Sequence, residues 1–561
     1  MGKHPSGLYV LFTTEMWERF SYYGMRAIFT LFMVKVLAFD KAFAVQVYGS
    51  YTGLVYLTPL LGGIVADNLW GNQKSIIVGG VLMAIGQFCM FLSGSFAADL
   101  SVAVPMCYLG LGFLIFGNGF FKPNISTMVG QLYDEGDKRV DSAFTIFYMG
   151  INLGAFFAPL VCGYLAEKVD YKWGFLTACI GMIIALISFI LLKDKHLITP
   201  SGAAIGDKPN TVRDKNAPSE QLFDNTILDD GAFNSHQAAQ AAGGAGGFST
   251  REAVVGAVLL FGFASLFYFR LEIDLIGSFI YSACLSVPTV ILMDRSLNTQ
   301  ERQRIMVIII IAFFVIAFWG AFEQAGASLT FFADEQTDRN LFGFEIPATY
   351  FQSINPLAIV IFAPIFAAMW TSMGNKEPAS PVKQAIGLAL LCVGYIIIWF
   401  GVQHLTPGIK VSMFWLFSMY MLHTFGELCL SPIGLSMVSK LAPARFASLM
   451  MGVWFLSTAT ANKFAGFLST YYPSGDAEFK KAAENGIGNL PDILKGTATA
   501  TVEQLAKLKE LGIAHQFPSI AGFQVTNLSD FFMIFMVMSG VSSILLLIFS
   551  RQLLKMMHGI R

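Results

Sequence analysis

Runs of about twenty apolar residues recur along the chain, separated mostly by short polar loops. That is the length a helix needs to cross a bilayer. The pattern predicts helices near 8–37, 46–66, 75–97, 103–130, 141–165, 173–193, 252–269, 272–293, 304–331, 347–372, 382–402, 410–438, 445–470 and 528–550. Two polar segments interrupt the series. Residues 194–250 contain "AAQAAGGAGG" and scattered charge, the composition of a flexible linker. Residues 471–527 contain "TVEQLAKLKELG", with Thr501 and Gln504 at capping-box spacing and Gly512 where a helix would stop. The expected fold is an all-α polytopic membrane protein of fourteen spans.

The predicted order is six spans, a linker, two extra spans, then six more. This divides the chain into a six-helix bundle over 1–193, a cytoplasmic linker over 194–250 and two additional transmembrane helices over 251–294. A second six-helix bundle follows over 295–561, with an outward-facing insertion at 471–527. Six plus six is the layout of the major facilitator fold, whose halves are related by pseudo-symmetry. Between the second and third spans stands "GGIVADNLWGNQK". Its Gly63, Asp67, Gly71 and Lys74 spacing resembles the loop signature of that superfamily. Basic residues of the short loops count sixteen on the side of the N-terminus and seven on the other, both long insertions left aside. The richer side is cytoplasmic by the positive-inside rule. Both termini are therefore expected in the cytoplasm.

Composition agrees. The 561 residues are 55% hydrophobic and 13% charged, where a soluble domain carries about 25% charge. A net charge of −1 and the lack of a basic stretch give no reason to expect nucleic acid as a partner. All seven cysteines fall in apolar segments, so no disulfide framework is implied. The first apolar stretch reads as a retained span rather than a cleaved leader. No H-E-x-x-H, G-x-S-x-G or G-x-x-x-x-G-K-[ST] is present, so neither an enzyme nor an ATP-driven pump is indicated.

The informative residues are charges inside apolar spans. Such a charge costs at least about 2.5–3.5 kcal/mol at the bilayer centre and is a functional candidate by default. "TTEMWERFSYYGMR" carries Glu15, Glu18, Arg19 and Arg26. At about 100° per residue, these four and Tyr22 share an arc of roughly 100°, with Trp17 on the opposite side. Glu15 and Arg19 are i,i+4 partners, which satisfies part of the charge locally. Glu18 and Arg26 are expected to find partners on other helices. Elsewhere Lys122 lies in "GNGFFKPNIST", Glu323 in "FWGAFEQAGASL" and Glu427 in "LHTFGELCLSPIG". The amides Asn152 and Asn355 lie in "FYMGINLG" and "FQSINPLA". Together they describe a cavity positive on the N-terminal wall and negative on the C-terminal wall. Tyr22, Tyr23, Tyr56, Trp319 and Trp454 are candidate aromatic walls.

At these residues the chain resembles a known family. "E-x-x-E-R-F-S-Y-Y-G" at 15–24 and "FYMGINLGAFFAP" at 147–159 resemble the two signatures of the bacterial proton-coupled oligopeptide transporters. The resemblance implies that Arg26 and Lys122 hold a peptide carboxylate. It implies that Glu427, Asn152 and Asn355 hold the amino terminus. Glu15, Glu18, Arg19, Lys122 and Glu323 would take part in proton coupling, and Glu323 would pair with Arg26 to close the outer side. The second span lacks the histidine of animal members, and Glu323 replaces the histidine of nitrate-transporting plant relatives. The implied protein is a proton-coupled symporter importing di- and tripeptides across the bacterial inner membrane. It is expected to act as a monomer with no cofactor but the coupling proton. A facilitator for another small anion or drug-like molecule is the alternative.

Overall fold

The structure, a computed structural model, describes residues 3–134, 137, 139–200, 202–207, 250–403, 405, 408–443 and 446–560. Its long helices are α1 (Ser6–Lys35), α2 (Lys41–Trp70), α3 (Asn72–Ser95), α4 (Leu100–Gln131), α5 (Ser142–Lys168), α6 (Tyr171–His196), α7 (Arg251–Arg270) and α8 (Leu275–Met293). They continue with α9 (Thr299–Gln336), α10 (Ala348–Lys376), α11 (Ser380–Val402), α12 (Met413–Leu441), α13 (Ala447–Ser469) and α14 (Leu528–Met556). Twelve of these are long and apolar enough to cross a membrane. The other two, α1 and α13, are of matching length but more polar. The first carries the charged arc and the second carries Asn462 and Lys463.

Short polar residues start the helices. The side chains of Asp40, Asp99, Asp170, Asp274 and Asn527 each accept a backbone N–H from the first turn that follows. Asn298 and Glu301 form a capping box at the start of α9. Helix pairs then close on small residues, as bilayer packing favours. A Cβ on Gly79 of α3 would come within 2.6 Å of the Gly117 carbonyl oxygen of α4. Across the seam between the two halves, a Cβ on Gly49 of α2 would come within 2.9 Å of Gly466 Cα on α13.

The α7–α8 pair packs beside that seam. Lys463 of α13, 3% exposed, reaches Asp274 at the start of α8 at 2.6 Å and donates to Ser50 Oγ of α2 at 2.6 Å. One buried cation thus joins three helices. The loop signature is folded as well. Residues 66–70 are wound as a π-helical turn and Gly71 takes a φ of 76°. The close helix approach there is made by Gly62 against the Gly119 backbone of α4.

Of the segment read as a linker, residues 201 and 208–249 lie outside the described residues. Its beginning packs on the signature loop, where Gln73 donates to the Ile205 carbonyl at 2.7 Å. The 471–527 insertion has a small core of its own around Leu490, Leu508 and Ile513. Its Val502–Leu511 helix begins on the Thr501–Gln504 capping box and ends on Gly512, left-handed at φ 67°.

Candidate functional site

A cavity opens between the N-terminal and C-terminal helices. Tyr23, Arg26, Tyr56, Tyr148 and Asn152 line one side, and Trp319, Glu323, Asn355, Tyr420 and Glu427 line the other. Of the sequence candidates, Arg26, Tyr23, Tyr56, Asn152, Trp319, Glu323, Asn355 and Glu427 come together here. Tyr22, Lys122 and Trp454 are not among the lining residues. Lys122 stands behind the wall, its ammonium 4.8 Å from the centre of the Tyr56 ring. Tyr22 is 2% exposed and packs edge-on against Tyr23. Trp454 is buried where Gly434 of α12 leaves room for its ring.

Tyr148, Gln352, Tyr420 and His423 line the cavity without having been singled out from the sequence as contributors to its wall. A signal was present for three of them. Tyr148 is one helical turn before Asn152, while Tyr420 and His423 precede Glu427 by seven and four residues, on the same face. Gln352, in the 3-10 turn that opens α10, has no such pattern around it.

The charged arc of α1 is buried throughout. Arg19 Nε lies 2.8 Å from Glu15 Oε1 and 2.6 Å from Glu18 Oε2, all three residues at most 1% exposed. One guanidinium therefore serves two carboxylates of its own helix. Glu18 also accepts a hydrogen bond from Asn118 Nδ2 of α4 at 3.3 Å, one turn before Lys122. Trp17 faces away and packs beside Gly181 of α6.

Arg26 is held differently. Its guanidinium pairs with Glu323 of α9 and its Nε donates to the Tyr48 hydroxyl at 2.6 Å. On the opposite wall, Asn355 Nδ2 donates to Glu427 Oε2 at 2.6 Å and to Thr424 Oγ1 at 3.1 Å. Asn355 thereby fixes the orientation of the Glu427 carboxylate. The cavity thus presents a guanidinium and three tyrosines on one side and a positioned carboxylate on the other. That arrangement suits a small molecule charged at both ends.

Contacts between the two halves cluster at one end of the molecule. Thr30 Oγ1 donates to the Gly326 carbonyl at 2.6 Å, Lys35 pairs with Asp334 at 2.6 Å, and Lys41 pairs with Glu335 at 2.7 Å and with Glu478 of the insertion at 2.5 Å. Glu167 accepts from the Ala348 and Thr349 backbone N–H groups at 2.7 and 3.0 Å. Lys168 reaches Glu345 at 3.2 Å. The hydrogen bond with Lys168, and then the Arg339 charge, hold the Glu345 carboxyl below its ordinary range.

Comparison with known proteins gives a consistent picture. The family model described as PTR2, POT family, matches residues 73–203 and 271–484. A Bacillus subtilis protein named "Uncharacterized transporter YclF" is 37% identical over 465 residues, covering 82% of this chain and 86% of the relative. The peptide transporter YePEPT of Yersinia enterocolitica is 34% identical over 484 residues, covering 83% and 87%. Among solved structures, a peptide transporter POT in complex with sulfate is similar at a TM-score of 0.72 and 30% identity, covering 99% of this chain and 96% of that one.

Proposed function

Since this chain belongs to the POT family, we propose that it is a proton-coupled symporter importing di- and tripeptides by alternating access. The observation that carries the reading is the cavity itself. Arg26 stands on its N-terminal wall, and Glu427, oriented by Asn355, stands on its C-terminal wall. A dipeptide or tripeptide separates its charged ends by roughly 5–10 Å. Two opposed walls measure that separation. A longer peptide misplaces one end and leaves a buried charge unpaired. Arg26 takes the carboxylate, with Lys122 adding its charge from behind Tyr56, while Glu427, Asn152 and Asn355 take the amino end. Tyr22, Tyr23, Tyr56, Trp319 and Trp454 shape the surroundings.

Coupling runs through the carboxylates. A proton on Glu15 or Glu18 removes part of the charge that neutralises Arg19, and Asn118 links Glu18 to the helix that carries Lys122. A proton on Glu323 releases Arg26 and with it the pair that joins α1 to α9. The peptide carboxylate then takes Arg26, and proton release on the other side restores the pair. The protein works in a bacterial inner membrane with all fourteen helices spanning and both termini cytoplasmic. The clustered contacts between halves then form a closed outer face, and the inward state is the one described. The bundles over 1–193 and 295–561 rock against each other. The protein acts as a monomer, with the proton as its coupling ion and no other cofactor or nucleic acid.

Substrate competition tests the assignment. Unlabelled dialanine and trialanine should displace a labelled dipeptide from the purified protein, while tetraalanine, nitrate and glucose should not. Displacement by nitrate or glucose together with failure of dialanine would overturn the peptide assignment.

A further inference from the structure

A second cavity, of about 480 Å³, lies apart from the transport site where α10 and α12 end and α11 begins. Its inner wall is apolar, with Phe366, Leu428 and Met437. Its mouth carries two ammonium groups, Lys383 and Lys440, against one lining carboxylate, Glu377. Lys383 is 8% exposed although it lies in the first turn of α11. Its ammonium is 4.9 Å from the centre of the Trp370 ring and pairs with Glu377, whose side chain is 41% exposed. The indole nitrogen of Trp370 is buried and finds no hydrogen-bond acceptor among the described residues.

These features ask for two kinds of chemistry in one ligand. A buried N–H is costly to leave without an acceptor, and this one belongs to the ring beside an ammonium whose partner, Glu377, is half exposed; an anionic oxygen suits both. The apolar wall calls for hydrocarbon. The site lies at the end of membrane helices, where both chemistries occur in a single molecule. We propose that this cavity binds an anionic phospholipid. The phosphate is held by Lys383, Lys440 and the Trp370 indole N–H, and an acyl chain runs along Phe366, Leu428 and Met437. The phosphate takes the place of Glu377 on Lys383, and the half-exposed Glu377 turns to water. Basic pockets between transmembrane helices recognise headgroups in this way. A soluble phosphate satisfies the mouth but not the wall.

The test uses the full chain, purified in detergent and titrated with phosphatidylglycerol, phosphatidylcholine or soluble glycerophosphoglycerol. Bound lipid is read by native mass spectrometry. Phosphatidylglycerol should be retained roughly tenfold more than phosphatidylcholine, the size of one charge-assisted hydrogen bond. Lys383→Gln should abolish the preference. Trp370→Phe, which keeps the ring, and Lys440→Gln, at an exposed residue, should each reduce it in a folded protein. Equal retention of the two lipids overturns the proposal, as does an unchanged preference in both Trp370→Phe and Lys440→Gln. Competition by glycerophosphoglycerol as strong as that of the lipid also overturns it, since the site would then be a plain anion site.

Discussion

Two ionic groups lie about two turns apart on α1 and are built on different principles. Arg19 and its two carboxylates belong to one helix and are at most 1% exposed. Arg26 pairs with Glu323, 297 residues away in sequence, and both line the central cavity. The first group survives any motion of α1 as a rigid body. The second exists only while α1 and α9 touch. A fixed charge store beside a breakable pair is what a device with two arrangements needs.

The contrast is broken most directly by removing each arginine. Arg19→Met takes from two buried carboxylates the guanidinium they share, a loss of about 3–5 kcal/mol. Its thermal unfolding temperature in detergent should fall steeply, or the protein should fail to purify. Arg26→Met leaves Glu323 facing the cavity, where water can reach it. That protein should unfold near the wild-type temperature yet take up dipeptide only at background level. Equal unfolding temperatures for the two variants would remove the distinction.

Next in size are Glu15→Gln and Glu18→Gln. Each should retain counterflow exchange of a dipeptide in proteoliposomes and lose uphill uptake. Full proton-driven accumulation in both would refute the coupling role. Glu427→Gln should weaken binding of a free dipeptide by roughly tenfold, the loss of one charge-assisted contact. Its discrimination against the N-acetylated dipeptide should shrink, and a competition assay that shows undiminished discrimination would remove Glu427 from the amino-end site. The smallest effect is expected at Glu345. Its carboxyl is held below the ordinary range, so the contact with Lys168 is intact at neutral pH and is lost as pH falls through that lowered value. An exposed pair contributes under about 1 kcal/mol. Spin labels across the 337–347 loop should show slightly more opening at acid pH, and Glu345→Gln should remove that dependence.

The helices were legible because apolar run length and capping residues are local properties. The Thr501–Gln504 box and Gly512 mark the ends of a helix as the spacing requires. The arc from Glu15 to Arg26 was legible because one helix fixes its own faces, and Arg19 does bridge Glu15 and Glu18. The partner of Glu18 was only half legible. Asn118 comes from another helix, while Arg19, at 2.6 Å, belongs to α1 itself. Which layer a residue occupies was not legible. Lys122 lies behind Tyr56, and Trp454 packs against Gly434, because neighbouring helices decide those positions. Lys463, a lysine within "TATANKFAGF", carries the same local signal of a charge in an apolar run. Its partners, Asp274 and Ser50, come from distant parts of the chain.

The central claim is that a proton gradient drives a zwitterionic peptide through the Arg26–Glu427 cavity. Its most direct test is uptake of a labelled dipeptide into proteoliposomes holding the purified chain, with and without an acid-outside pH gradient. The account predicts accumulation above the external concentration with the gradient and simple equilibration without it. Equilibration to the same level in both conditions, or no entry in either, would contradict it.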